Sequence, residues 1–131
     1  MQLPIRWSVL LAIADVVRNY PNAIAIEDGE RLISYAEFWR LSERLARVLN
    51  GRLAQNRSPV AVALDRSVDH LVAILGILLS GRAYVPIDIS QPESRIAQMF
   101  ELATPQLCIT TDRSHDFQSP CPTIDLQELL E

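Results

Sequence analysis

Apolar positions along the chain alternate between a helical rhythm of three to four residues and short unbroken or two-residue runs of strand type. Ser8 to Arg18 reads as a first helix, with Val9, Ala12, Ile13, Val16 and Val17 on one side, and Tyr20-Pro21-Asn22 ends it. Ala23 to Ile26 is a short strand, Asp28-Gly29 a hairpin signal and Arg31 to Ile33 its partner. Ser34 then opens the best-marked helix. Ser34 and Glu37 have the S-x-x-E spacing in which each side chain satisfies a backbone donor at the helix start. Phe38, Leu41, Leu45, Val48 and Leu49 line one face of it, and Gly51 is the expected stop.

Pro59 to Leu64 is an unbroken apolar strand of the kind found in sheets covered on both faces. The next helix, starting at Asp65 or Ser67, carries Leu71, Ile74, Leu75, Leu78 and Leu79 at helical spacing. Val72, Ala73 and Ile77 make its other sides almost as apolar, which predicts burial all round. Gly81 is placed to end that helix in the left-handed region, and Ala83 to Val85 is a short strand stopped by Pro86. A second S-x-x-E pair, Ser90 with Glu93, predicts a helix with Ile96, Met99, Phe100 and Ala103 buried and Pro105 as its stop. Leu107 to Thr111 is the next strand, residues 112–122 read as loop, and Asp125 can cap a last helix bearing Leu126, Leu129 and Leu130.

From Ser34 onward helices and strands alternate strictly. Such a pattern predicts an α/β fold, a parallel sheet with helices on both faces. Residues 1–131 are expected to form one partial domain, with 1–33 a leading helix and hairpin and 34–131 the alternating units. A final helix that barely begins suggests the first part of a larger sheet, cut short.

Composition narrows the chemistry. The chain has 131 residues, 49% of them hydrophobic, which suits one globular domain. Its formal charge of −4 argues against nucleic acid or an anionic membrane as partner, since both require a basic face. All 12 basic residues are arginine. Without lysine, the chain by itself can supply no Schiff base, no phosphate-loop lysine and no lysine catalyst of adenylation. Glycine occurs only at 29, 51, 76 and 81, so no loop has the clustered glycines that let backbone amides wrap a phosphate.

Cys108 and Cys121 make no disulfide framework, and a reduced, cytoplasmic chain is the simpler expectation. Arg6 before the apolar run Trp7 to Ile13, with Ala12-Ile13-Ala14 after it, resembles a minimal signal peptide, but the same residues fit the amphipathic helix better. The longest apolar run, Leu71 to Leu79, is far shorter than a membrane span.

Cys108, His115 and Cys121, with Asp112 or Asp116, match no compact zinc spacing, and no metal site is expected. His70 and His115 read as packing and solvated residues. Asp65 and Asp69 are better explained as helix-start charges than as a catalytic pair, and Asp88 as the polar end of a strand, although ligands of open α/β sheets do bind at such ends. The arginines of the Ser34 helix are interleaved with glutamates, with Glu43 and Arg47 spaced to pair, and form a solvated face.

Leu32 to Leu49, LISYAEFWRLSERLARVL, resembles the first core motif of the amino-acid adenylation domains of nonribosomal peptide synthetases. Leu78 to Asp88, LLSGRAYVPID, resembles their second, and PNAIAI, PVAVALDRSVDHLVAIL and QPESRIAQMFELATPQLCIT agree in order and spacing. Leu79-Ser80, Arg82 and Ile89 depart from the usual residues. The resemblance implies the adenylate-forming superfamily, whose complete members use ATP and Mg2+ to convert a carboxylate into an acyl-adenylate with release of pyrophosphate, then pass the acyl group to a carrier-protein thiol. It implies equally that the family's phosphate loop, substrate-amine aspartate, ribose-binding aspartate and lysine lie beyond the second motif. No catalytic, cofactor-binding or metal residue is therefore assigned to this chain, and it is expected to bind no cofactor alone. Three roles remain open: a remnant, one half of a split enzyme partnered by the remainder of the domain, or a non-catalytic module that docks on a synthetase.

Overall fold

The computed structural model describes residues 5–29, 31–53, 58–65, 67–111 and 119–130, with side chains from residue 9 onward. Helix α1 (Ile5–Asn19) leads into an antiparallel hairpin of β1 (Ile24–Glu27) and β2 (Leu32–Ser34). The turn between them uses Gly29 at φ +91, and the Asp28 carboxylate accepts from the Arg31 amide at 3.0 Å. Leu10, not Val9, is the buried anchor of α1; Val9 and Ala12 face outward.

Helix α2 (Tyr35–Arg52) begins as the sequence demands, with Ser34 Oγ accepting from the Glu37 amide at 3.2 Å. Leu45 and Leu49 are fully buried on its inner face. Gly51 does not stop it. The helix runs one residue further, and the Leu53 amide still donates to the Leu49 carbonyl.

The sheet has the order β4-β3-β5-β6, all pairs parallel, built from β3 (Val60–Ala63), β4 (Tyr84–Pro86), β5 (Leu107–Thr110) and β6 (Thr123–Asp125). Strand β6 corrects the loop expected up to residue 122 followed directly by a helix. Its backbone pairs with β5 from Cys108↔Thr123 to Thr110↔Asp125. Successive side chains of a strand point to opposite faces, and the two faces here carry different residues. Val60, Val62, Leu107 and Ile109 pack with Leu45, Leu49, Ile77, Leu126 and Leu129 of the helices on one side. Ala61, Ala63 and Cys108 pack with Ile96 and Phe100 on the other.

Helix α3 (Val68–Leu79) crosses from β3 to β4 and is capped by Ser67, whose Oγ accepts from the His70 amide at 3.3 Å. Its buried residues are Val68, Val72, Ala73, Leu75, Gly76 and Ile77, whereas Leu71 is 42% exposed and Ile74, Leu78 and Leu79 are half-buried. The helix is thus not buried all round as expected, and its inner face is rotated away from most of the expected stripe. Gly76 explains the rotation: a Cβ there would stand 2.6 to 2.9 Å from Leu45 side-chain atoms, so α2 and α3 meet at the one side-chain-free position of α3. Gly81 ends the helix as expected, at φ +86. The Arg82 amide donates to Ile77 and the Gly81 amide to Leu78, at 3.2 and 3.0 Å. The buried Arg82 side chain donates to Asn50 Oδ1 at 2.6 Å, tying this turn to the end of α2.

Pro86 lies within β4 rather than beyond it. The Ala83 carbonyl and the Ile87 amide bond β3, so the alternation of the ladder turns the Pro86 nitrogen to the outer edge, where no donor is needed. Helix α4 (Glu93–Ala103) covers the alanine-rich face. Its expected cap is not used. Ser90 donates its hydroxyl to Asp88 Oδ1 at 2.6 Å, and Pro92 takes the cap position without a side-chain bond. The helix ends on Thr104 in the left-handed region, φ 45. Helix α5 (Leu126–Leu130) closes the other face, with Asp125 Oδ1 accepting from the Gln127 amide at 2.8 Å as expected of its cap.

Candidate functional site

The chain enters the sheet at β3, turns to one side for β4 and then crosses to the other side for β5. The order therefore reverses between β3 and β5, and open α/β sheets bind ligands outside the carboxyl ends of their strands at such a point. A crevice of about 340 Å³ lies there, lined by Leu64, Asp65, Ser67, Asp69, Thr111, Asp125 and Gln127. Topology brings together Asp65 from the end of β3, Asp69 from the first turn of α3 and Asp125 from the end of β6. The sequence gives no direct sign of this grouping, because the third aspartate arrives through the unforeseen strand.

The polar groups of the crevice serve the scaffold. Ser67 caps α3 and its hydroxyl also donates to the Asp65 carbonyl at 3.1 Å. His70 sets Nδ1 3.2 Å from the Leu64 carbonyl, a packing role as expected. Asp69 holds Arg31 of the hairpin at 3.0 Å through one oxygen and Gln127 of α5 at 3.4 Å through the other. Asp28 of the hairpin accepts from the Val68 amide at 3.1 Å. Asp88 lies apart from the crevice, its carboxylate accepting from the Ser90 amide at 3.0 Å and from Gln91 at 3.4 Å.

Among the described residues, three aspartates and no cationic side chain line this crevice, and Asp69 already pairs with Arg31, so this donor set does not fit the triphosphate of ATP. The only left-handed glycines described, Gly29 and Gly81, sit in separate turns and build no phosphate cradle. No step of adenylyl transfer is assigned to these residues. Of the residues weighed as metal ligands, Cys108 is buried with its thiol pushed up to about 12, first by burial and then by Cys121, while Cys121 is half-buried. Asp112, His115 and Asp116 lie outside the described residues. Among the described residues, no three His, Cys, Asp or Glu side chains group as a metal site, and no helix is long and apolar enough to cross a membrane. On α2, Glu43 and Arg47 pair at 2.8 Å with both side chains largely exposed, so the arginine face is solvated as expected.

Residues 13–130 match the AMP-binding enzyme family. Gramicidin S synthase 2 of Brevibacillus brevis is 40% identical over 97 residues, which is 74% of this chain but 2% of that protein. The fold of an artificially fused adenylation-PCP di-domain synthetase, NpsA-ThdA from Klebsiella oxytoca, overlays 90% of this chain with a TM-score of 0.80 at 21% identity, using 22% of its own length. The N-terminal subdomain of K. oxytoca NpsA, in complex with 3-hydroxyanthranilyl-AMSN, overlays the same share with the same score, using 30% of its length. The chain thus spans a small part of the proteins it matches. Parallel α/β topology, two adenylation-type motifs in order and the match over residues 13–130 agree that the chain belongs to the AMP-binding enzymes, as an N-terminal piece of a nonribosomal peptide synthetase adenylation domain.

Proposed function

We propose that this chain supplies the framework of an amino-acid adenylation domain and no catalytic group of its own. The family's reaction is ATP- and Mg2+-dependent formation of an aminoacyl-adenylate, followed by transfer to a carrier-protein thiol. Here that reaction requires the remainder of the domain, acting in the cytoplasm as a partner of this piece. The observation that carries the reading is the crevice at the switch point: among the described residues that line it, carboxylates and helix caps stand there rather than cations or glycine amides. Electrostatic stabilisation and positioning of phosphates dominate such chemistry, and an acidic cleft opposes both.

The test is amino-acid-dependent exchange of pyrophosphate into ATP, using the purified chain alone and mixed with a polypeptide carrying the rest of an adenylation domain. No exchange is expected from the chain alone, and exchange is expected on mixing. Robust exchange by the chain alone overturns the proposal. A stable one-to-one complex that never gains exchange favours the docking-module reading instead.

A further inference from the structure

Cys108 and Cys121 belong to one side of one pair of strands. Cys108 is fully buried in the core beneath α4, and the half-buried Cys121 packs against that same core. The ladder sets their relation. Cys108 pairs with Thr123 of β6, and its amide donates to the Pro122 carbonyl at 2.9 Å. Cys121 precedes Thr123 by two residues, so it stands diagonal to Cys108 on the same face. The two thiols also sense each other: after burial, Cys121 is the next cause that holds the Cys108 proton in place. Diagonal neighbours on adjacent strands are roughly 7–8 Å apart between Cα atoms, and a disulfide spans about 4.4–6.8 Å, so an approach of about 1 Å joins them. The chain before β6 has the freedom to make it. Strand β6 has three residues, stands last in the strand order and pairs only with β5, and such an element opens locally at small cost. Residues 119–121 move as one turn, because the Ser119 hydroxyl donates to the Cys121 carbonyl at 2.8 Å and accepts from the Cys121 amide at 3.3 Å.

We infer that Cys108 and Cys121 form a redox-sensitive clamp, in which oxidation by a low-molecular-weight disulfide joins the two sulfurs and fastens the approach to β6 onto β5. The half-buried Cys121 reacts first. It loses its proton to water, and its thiolate attacks one sulfur of the oxidant, whose other half leaves as a thiolate and takes up a proton. Cys108 then loses its proton and attacks the Cys121 sulfur, expelling the second small thiol. One small disulfide is thereby reduced to two thiols while two protein thiols become one disulfide. Burial keeps Cys108 protonated and out of reach of the oxidant itself, so it resolves the mixed disulfide and does not start the reaction. The link holds in place the strand that carries Asp125 to the crevice and leads into α5, which closes the core. Intracellular disulfides of this kind are transient and redox-sensing, which agrees with a reduced resting state. The clamp is independent of whether the chain takes part in adenylation.

The test incubates the full chain with oxidised glutathione and follows it by intact mass and non-reducing peptide mapping, with circular dichroism to monitor the fold. The expected course is one glutathione adduct on Cys121, replaced by a species that has lost two hydrogens and carries a Cys108–Cys121 link, reversed by dithiothreitol. The linked form is expected to have a higher urea midpoint than the reduced one, because the cross-link restricts the unfolded chain. Cys121→Ser is expected to take up no glutathione while folded, and Cys108→Ala to stop at the adduct. A lasting adduct in the unaltered chain, a link between two copies, a link that forms only in urea, or a linked form no more stable than the reduced one overturns the inference.

Discussion

Cys108 sits on β5 with none of its surface exposed, and its thiol titrates near 12 against an ordinary value of 9.0. Below pH 9 the thiol is protonated whether the chain is folded or not, so it adds no pH dependence. Between 9 and 12 the unfolded chain gives up this proton while the folded chain keeps it, and stability falls as pH rises. Urea unfolding followed across this range is therefore expected to show a decline that Cys108→Ala removes, from a lower starting stability. At the same scale, three caps were readable because their signals are local. Ser34, Ser67 and Asp125 each bond an amide two or three residues ahead. Ser90 has the same spacing and fails, because the helix begins only at Glu93 with Pro92 in the cap position, and the Ser90 hydroxyl donates to Asp88 instead. A spacing rule does not register where the first helical turn begins.

Helix α3 shows what periodicity leaves undetermined at the level of elements. Apolar residues surround it, so the pattern announces a helix without saying which side turns inward. The choice rests on Leu45 of α2, whose side chain occupies the space that any Cβ at position 76 would need. Gly76→Ala is accordingly expected to cost about 1–3 kcal/mol in chemical denaturation, more than the gain in helix propensity returns. With Leu45→Ala present, the same substitution is expected to cost less, a non-additivity that a double-mutant cycle measures directly. Strand β6 marks the other limit. Only Ile124 of its three residues is apolar, and its strand geometry comes from pairing with β5 rather than from propensity.

Across the whole molecule, the alternation of elements made the parallel α/β architecture legible, and the apolar run of β3 announced burial on both faces. The candidate crevice was not legible to the same degree. Asp65 and Asp69 are near in sequence, but Asp125 joins them only when β6 is laid beside β5, a contact across many residues. The small helix α5 has a larger structural role than its length suggests. Leu126 and Leu129 are fully buried against α2, α3 and the sheet, so the core is closed by five residues at the end of the described chain. Leu129→Ala is expected to destabilise the fold by about 2–5 kcal/mol, read as a lowered urea midpoint with the slope unchanged.

The outward-turned nitrogen of Pro86 bears on how this protein misassembles. Any foreign strand that settles along β4 meets a missing rung in its ladder, so that margin is a poor template for fibril growth. The opposite margin, Thr123 to Asp125, has no proline, and its only charge is a single aspartate at the far end. Ordered polymers of the chain would therefore propagate from one side of the sheet, and a cap placed there would arrest them.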